Sequence, residues 1–238
     1  MTAAGMHKIK IFADGADVEG ILNLAQDPRI SGFTTNPTLM RKSGVTDYEG
    51  FARKVLDHVT KLPVCFEVFS DELDDMYRQA LLIAGWGENV YVKIPVTNTK
   101  GETTAPLVRR LSDEGLRLNV TAILPLGQVV EVVDALSESP GAIVSIFAGR
   151  VADTGRDPVP LMTQALELMK PHPKLELLWA SPREILNVRQ AEQIGCHIIT
   201  ITHDLLQKLS GLDRDLDDVS LDTVRMFHDD AAQSGFLI

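Results

Sequence analysis

The sequence predicts an α/β fold, a single (β/α)8 TIM barrel over residues 1–238, with 211–238 as a C-terminal helical extension. Three observations predict it. Short β-rich runs alternate with longer amphipathic stretches from end to end, and such alternation implies parallel strands joined by right-handed crossovers. Eight of these units can be counted in 238 residues, a chain length at which a barrel closes. No Pro/Gly/Ser-rich linker, charge block or low-complexity segment divides the chain. A doubly wound open sheet is the alternative. It ordinarily carries a Gly-rich loop after its first strand, whereas here that strand runs into Phe-Ala-Asp-Gly-Ala-Asp over residues 12–17.

In chain order, strands are expected near residues 8–13, 31–35, 63–68, 89–94, 117–121, 142–147, 175–180 and 197–201, where short apolar, β-rich runs occur. Helical patterns lie between them at 71–84, 103–114, 127–136, 158–170 and 183–194. Residues 103–114 illustrate the signal: apolar positions recur at helical spacing and the pattern stops at Gly115. Ser181-Pro182-Arg183-Glu184 reads as a helix start, with Ser181 as N-cap, Pro182 in the first position and Glu184 closing a capping box. The stretch 211–238 is helical in pattern and either caps the barrel or packs against a neighbouring subunit.

Composition narrows the function. Hydrophobic residues make up 45% and charged residues 24%, ordinary for a globular chain. A formal net charge of -10 repels phosphate polymers, so neither nucleic acid nor an anionic membrane is an expected partner. A small phosphate ester is still admissible, because it needs only a local positive pocket. The start, Met-Thr-Ala-Ala-Gly-Met-His-Lys, lacks the apolar run of a signal peptide, and the longest apolar stretches are too short to span a bilayer. A cytoplasmic protein is expected. Cys65 and Cys196 sit in apolar runs and read as buried, reduced thiols. No CxxC or HExxH spacing occurs and the six histidines are scattered, so no metal site is expected.

The ends of the expected strands carry an unusual set of polar residues. Asp14 ends the first, Thr34 and Asn36 share one face at the end of the second, and Glu67, Lys93, Asn119 with Thr121, Ser145 with Phe147, and Ser181 follow on the next five. Barrel interiors prefer branched apolar side chains, and barrel active sites form at the carboxyl ends of the strands. Lys93 is the sharpest member. It stands in Val-Tyr-Val-Lys-Ile-Pro, otherwise a buried strand, and lysine is rarely buried unless paired or functional. Either it reaches solvent from a strand end, or burial favours its neutral amine, which can attack a carbonyl. The iminium so formed is an electron sink that permits C–C cleavage without a metal.

Glu67 could move protons beside that iminium, directly or through a water held by Thr121, or it could form a structural ion pair with Lys93. Asp14 could take a hydroxyl proton as the bond breaks, or simply form the turn before Gly15. Barrels often bind phosphate at a helix start after strand seven. Arg183 would add a two-pronged donor there, and Arg150 could reach the same pocket, unless it is a solvated loop arginine.

Five motifs, in order along the chain, resemble the transaldolase family, which includes the fructose-6-phosphate aldolases. They are Thr34-Thr35-Asn36-Pro37-Thr38-Leu39, Val92-Lys93-Ile94-Pro95, Asn119-Val120-Thr121, Ser145-Ile146-Phe147-Ala148-Gly149-Arg150 and Ala180-Ser181-Pro182-Arg183. The resemblance implies a (β/α)8 barrel and cofactor-free Schiff-base cleavage of phosphorylated ketoses. It implies Lys93 as the Schiff-base lysine, Asp14 as the group handling the hydroxyl proton at the bond being cut, and Glu67 with Thr121 as the pair positioning the catalytic water. Asn36 and Ser145 would hold the dihydroxyacetone moiety, and Arg150, Ser181 and Arg183 the phosphate. Phe147 and Glu67 resemble the transaldolases, where the aldolases tend to carry tyrosine and glutamine. Compact relatives form dimers or ring-like assemblies, so a homo-oligomer is implied. The remaining readings are an aldolase releasing dihydroxyacetone and a non-catalytic sugar-phosphate-binding barrel, for which a buried amine would serve no purpose.

Overall fold

The computed structural model describes residues 9–136 and 139–235. Eight parallel strands close into a barrel in sequential order: β1 (Lys10–Asp14), β2 (Ile30–Thr34), β3 (Val64–Glu67), β4 (Val90–Pro95), β5 (Leu118–Ile123), β6 (Ala142–Ile146), β7 (Leu175–Trp179) and β8 (Ile198–Thr202). β8 pairs back onto β1, from Lys10↔Ile198 to Asp14↔Thr202, so no strand edge is left open. Each expected strand is present to within a few residues. The expected beginning of the first, residue 8, lies outside the described residues.

Helices fill the crossovers: α1 (Val18–Leu24), α2 (Pro37–Lys42), α3 (Tyr48–Leu56), α4 (Leu73–Ala84), α5 (Ala105–Asp113), α6 (Leu126–Ala135), α7 (Ala148–Ala152), α8 (Val159–Met169) and α9 (Leu186–Gln193), and α10 (His203–Lys208) follows the last strand. Beyond residue 206 a second unit begins, which holds a short 3-10 turn and helix α11 (Leu216–Ser234). Asp215 caps α11 by accepting from the amides of Asp217 and Asp218, and Gly235 ends it in the left-handed conformation. The helical reading of 211–238 is met over that span, while residues 236–238 lie outside the described residues. No helix among the described residues is long and apolar enough to cross a membrane.

Alternation along the strands layers the barrel interior. Phe12, Cys65, Ile143, Leu178 and Ile198 form a fully buried apolar plug, with Tyr91 packed against it. Two residues further on, the same faces deliver Asp14, Glu67, Ser145, Ala180 and Thr200, and Tyr91 is followed in this way by Lys93. The period of two thus converts one apolar layer into one largely polar layer above it. Cys65 and Cys196 are buried free thiols, as read from the sequence, and burial pushes Cys65 up to about 11.

Gly32 makes room for the plug. A Cβ on it would lie 2.6 Å from the ring of Phe12, which is itself fully buried and has nowhere to move. Gly32→Ala is therefore expected to destabilise the barrel by about 1–3 kcal/mol through overpacking. Phe12→Leu in the same chain should recover part of the loss, as read by urea unfolding of the single and double variants.

Candidate active site

All the residues singled out from the sequence line one cavity of about 440 Å³ at the carboxyl ends of the strands. They are Asp14, Thr34, Asn36, Glu67, Lys93, Asn119, Thr121, Ser145, Phe147, Arg150, Ser181 and Arg183. Parallel pairing sets many of them side by side, with Asp14 opposite Thr34, Glu67 opposite Lys93, and Lys93 opposite Asn119.

Lys93 does not reach solvent. It is 6% exposed, its Nζ lies 3.1 Å from Glu67 Oε2, and it donates to the Thr35 carbonyl oxygen at 3.0 Å. The ion-pair reading of Glu67 is thus met, which leaves its chemical role open. Tyr48, on α3, holds the end of β3 in place. Its hydroxyl accepts from the Glu67 amide at 2.8 Å and donates to the Glu67 carbonyl at 3.0 Å. Sequence reasoning missed Tyr48, because nothing near Asp47-Tyr48 marks it except a helix start.

Asp14 is part of the cavity wall and not merely a turn residue. Thr34 Oγ1 donates to its Oδ1 at 2.9 Å. Asn36 Nδ2 lies 3.3 Å from its Oδ2, and this amide orientation is set because Asn36 Oδ1 accepts from the Leu39 amide as the N-cap of α2. Burial pushes the Asp14 carboxyl above its ordinary value, more than the nearby Lys93 charge and the Thr34 and Asn36 hydrogen bonds pull it down.

On the opposite wall, Ser145 Oγ donates to Asn119 Oδ1 at 2.7 Å, and Asn119 Nδ2 points at Cys65 Sγ, 3.3 Å away. The Ser145 proton is thereby used, and its oxygen is left to accept. Thr121 Oγ1 is buried and has no protein partner among the described residues. The β5–β6 register slips between Val120 and Ile123, and Ala122 takes φ +61, so a bulge sits at Thr121. Bulges beside sites re-aim side chains in this way.

The capping-box reading of Ser181 is overturned. Ser181 has φ +58, outside the extended region an N-cap needs, and α9 starts only at Leu186. The amides of Arg183 and Glu184 go instead to Asn187 Oδ1, at 2.7 and 3.2 Å. The reason is the close approach of α7, where Gly149 donates its amide to the Ala180 carbonyl and has the Ser181 carbonyl oxygen 1.5 Å from where a Cβ would stand. Only glycine admits that turn. Arg183 forms a two-pronged ion pair with Asp153, its Nε donating at 3.0 Å. Those bonds hold the Asp153 carboxyl below the usual range. Arg150 lies on α7, with its guanidinium carbon 5.5 Å from the Phe147 ring centre. Two guanidinium groups, Arg150 and the Asp153-paired Arg183, thus stand at the cavity in a chain of net charge -10.

Thr200, on β8, is a second residue the sequence reading passed over. It is buried, lines the cavity, and its Oγ1 lies 2.5 Å from Thr34 Oγ1. It occupies the strand-end position that flagged the other polar residues, and that signal could have found it.

A raised carboxyl pKa has a definite sign for stability. The folded protein holds the Asp14 proton more tightly than the unfolded chain does, so stability falls as pH rises from about 4 through the folded-state value. Asp14→Asn is expected to be more stable than the parent at pH 8, with the gap closing at pH 4. Urea unfolding at the two pH values checks this, and an equal gap at both would contradict it.

Residues 11–238 match the family described as Transaldolase/Fructose-6-phosphate aldolase. A protein of Dehalococcoides mccartyi named "Probable transaldolase" is 33% identical over 202 residues, covering 84% of this chain and 90% of that protein. One of the same name from Nitrosopumilus maritimus is 31% identical over 206 residues, covering 84% and 87%. Among solved structures, 3-hexulose-6-phosphate synthase from Salmonella typhimurium aligns with TM-score 0.57 at 13% identity, over 82% of this chain and 89% of that one. Dihydrodipicolinate synthase from Rhodopseudomonas palustris aligns with TM-score 0.53 at 14% identity, over 82% and 70%. These two share the barrel alone. The matched family model and relatives, joined to a buried strand-four lysine in a polar-lined barrel mouth, establish that the chain belongs to the transaldolase/fructose-6-phosphate aldolase family.

Proposed function

We propose that the protein is a transaldolase, moving a dihydroxyacetone unit from a ketose phosphate to an aldose phosphate through a Schiff base on Lys93. The observation that carries this reading is the Lys93–Glu67 pair, 3.1 Å apart, with Lys93 buried and Glu67 nearly so. An ammonium cannot attack a carbonyl. Glu67 stands where it can take the Lys93 proton, and the neutral amine can then add to the ketose carbonyl. Loss of water from that adduct gives the iminium. Glu67 supplies the proton that leaves with the water, and Thr121, whose hydroxyl has no partner among the described residues, holds the water in place.

Asp14 then takes the proton of the hydroxyl on the carbon being released. The bond between the third and fourth carbons breaks, its electrons flow into the iminium, and an aldehyde departs. The enamine left on Lys93 adds to an aldose phosphate, Asp14 returns its proton, and hydrolysis frees the product and the lysine. Asn36 and Ser145 would grip the dihydroxyacetone hydroxyls. Arg150, Ser181 and Arg183 would take the phosphate, with Arg183 exchanging its Asp153 partner for the ligand. Glu67 and Phe147 favour transfer over release of free dihydroxyacetone, since the resemblance associates those residues with transaldolases. Phe147 lines the same cavity as Lys93 with an apolar ring, where a tyrosine would bring a hydroxyl able to donate a proton.

Incubation with fructose 6-phosphate, borohydride reduction and peptide mass spectrometry test the reading. A dihydroxyacetone-sized mass is expected on Lys93, and none in Lys93→Ala. An unmodified Lys93 with every ketose phosphate tried would overturn it. Cleavage is expected to be slow until an aldose phosphate is added, while equal rates with and without acceptor would make the protein an aldolase. Arg150→Ala should raise KM for the phosphorylated ketose by roughly 10- to 100-fold, the loss of a hydrogen bond between charged groups. In steady-state assays kcat should move much less.

A further inference from the structure

Thr34 has one proton and two oxygen neighbours. Its Oγ1 is 2.9 Å from Asp14 Oδ1 and 2.5 Å from Thr200 Oγ1. An ionised Asp14 can only accept, so the Thr34 proton goes to the carboxylate. The contact with Thr200 must then be donated by Thr200. The order of donors is thereby forced, from Thr200 to Thr34 to Asp14, and donors in series strengthen one another. Asn36 contributes from the other side, its Nδ2 reaching Oδ2. The Thr34 and Thr200 hydroxyls are both buried, and burial works against the Asp14 charge that they support.

We propose that Thr200 is a positioning residue for Asp14: its hydroxyl donates to Thr34, turns the single Thr34 proton onto the carboxylate, and so keeps Asp14 in the form that accepts a proton. When Asp14 takes a proton on Oδ1, the chain reverses. Asp14 donates to Thr34, Thr34 donates to Thr200, and each hydroxyl still carries one proton. Thr200 touches no reacting atom. The catalytic use of this device rests on the reading of Asp14 as the group that takes the substrate's hydroxyl proton.

Other charges face Asp14 from the packed elements. Lys93 on β4 favours its ionised form and Glu67 on β3 opposes it. Asp17 at the start of α1, and His203 and Asp204 at the start of α10, line the neighbouring cleft that Asp14 also borders. None of them is removed by a change at Thr200, so its effect can be isolated.

The test is a carboxyl carbon NMR titration of Asp14 in the parent, Thr200→Val, Thr200→Ser, Thr34→Val and the Thr34→Val/Thr200→Val double variant. The Asp14 midpoint is expected to rise by about one pH unit in Thr200→Val, the worth of one hydrogen bond. Thr200→Ser should restore it, and the double variant should match Thr34→Val alone. The acid limb of kcat/KM for ketose cleavage should move with the midpoint. An unmoved midpoint in Thr200→Val, or an equal rise in the Thr34→Val background, overturns the proposal, and lost stability without a moved midpoint assigns Thr200 a packing role only. The titration needs no turnover. A moved midpoint without a trapped Lys93 adduct would therefore uphold the relay while the transaldolase reading fails.

Discussion

The burial of one amine organises this molecule. An unpaired ammonium in a barrel interior would cost several kcal/mol, so Lys93 can be housed only where partners converge on it. The closed barrel provides that convergence, since parallel register sets Glu67 beside Lys93. The end of β2 brings the Thr35 carbonyl to the same nitrogen. Tyr48 clasps the Glu67 backbone at both its amide and its carbonyl, which limits the freedom of the carboxylate's own strand end. Removing one partner would leave the other charged and buried, so the lysine, the glutamate and their clamps stand or fall together.

The rest of the site is built by using up donors within the protein. Ser145 spends its proton on Asn119, and Thr34 spends its proton on Asp14. What lines the cavity afterwards is the Ser145 oxygen and the Asp14 carboxylate as acceptors, the unpartnered Thr121 hydroxyl, an amine and two guanidinium groups. Beneath this layer the apolar plug of Phe12, Cys65, Ile143, Leu178 and Ile198 supplies the burial that polar contacts do not. The same side-chain alternation that stacks the plug under the site ties stability to chemistry. A shift of register by one residue would turn both layers outward.

Strain is concentrated where the site needs shape. Ala122 and Ser181 both hold left-handed backbone conformations without being glycine, and both line the cavity. Such conformations cost about 1–3 kcal/mol each and persist only where surroundings enforce them. At Ser181 the enforcing element is α7, pressed so close that position 149 admits only glycine.

The sequence by itself determined the barrel, its eight strands and most of the cavity lining. Those features are written in local signals, namely the alternation of strand and helix patterns and polar residues at the ends of apolar strands. It also carried the family resemblance, in motifs that run in order along the chain. Tertiary structure alone decided which polar groups are partners. Whether Lys93 met solvent or Glu67 depended on the packing of β3 against β4, and Tyr48 and Thr200 reach Glu67 and Thr34 from elements 19 and 166 residues away. The local reading of Ser181 as a helix cap failed for the same reason. A capping box is a preference of a few tenths to about 2 kcal/mol. It yields where a neighbouring element, here Gly149 against the Ser181 carbonyl, dictates a different turn.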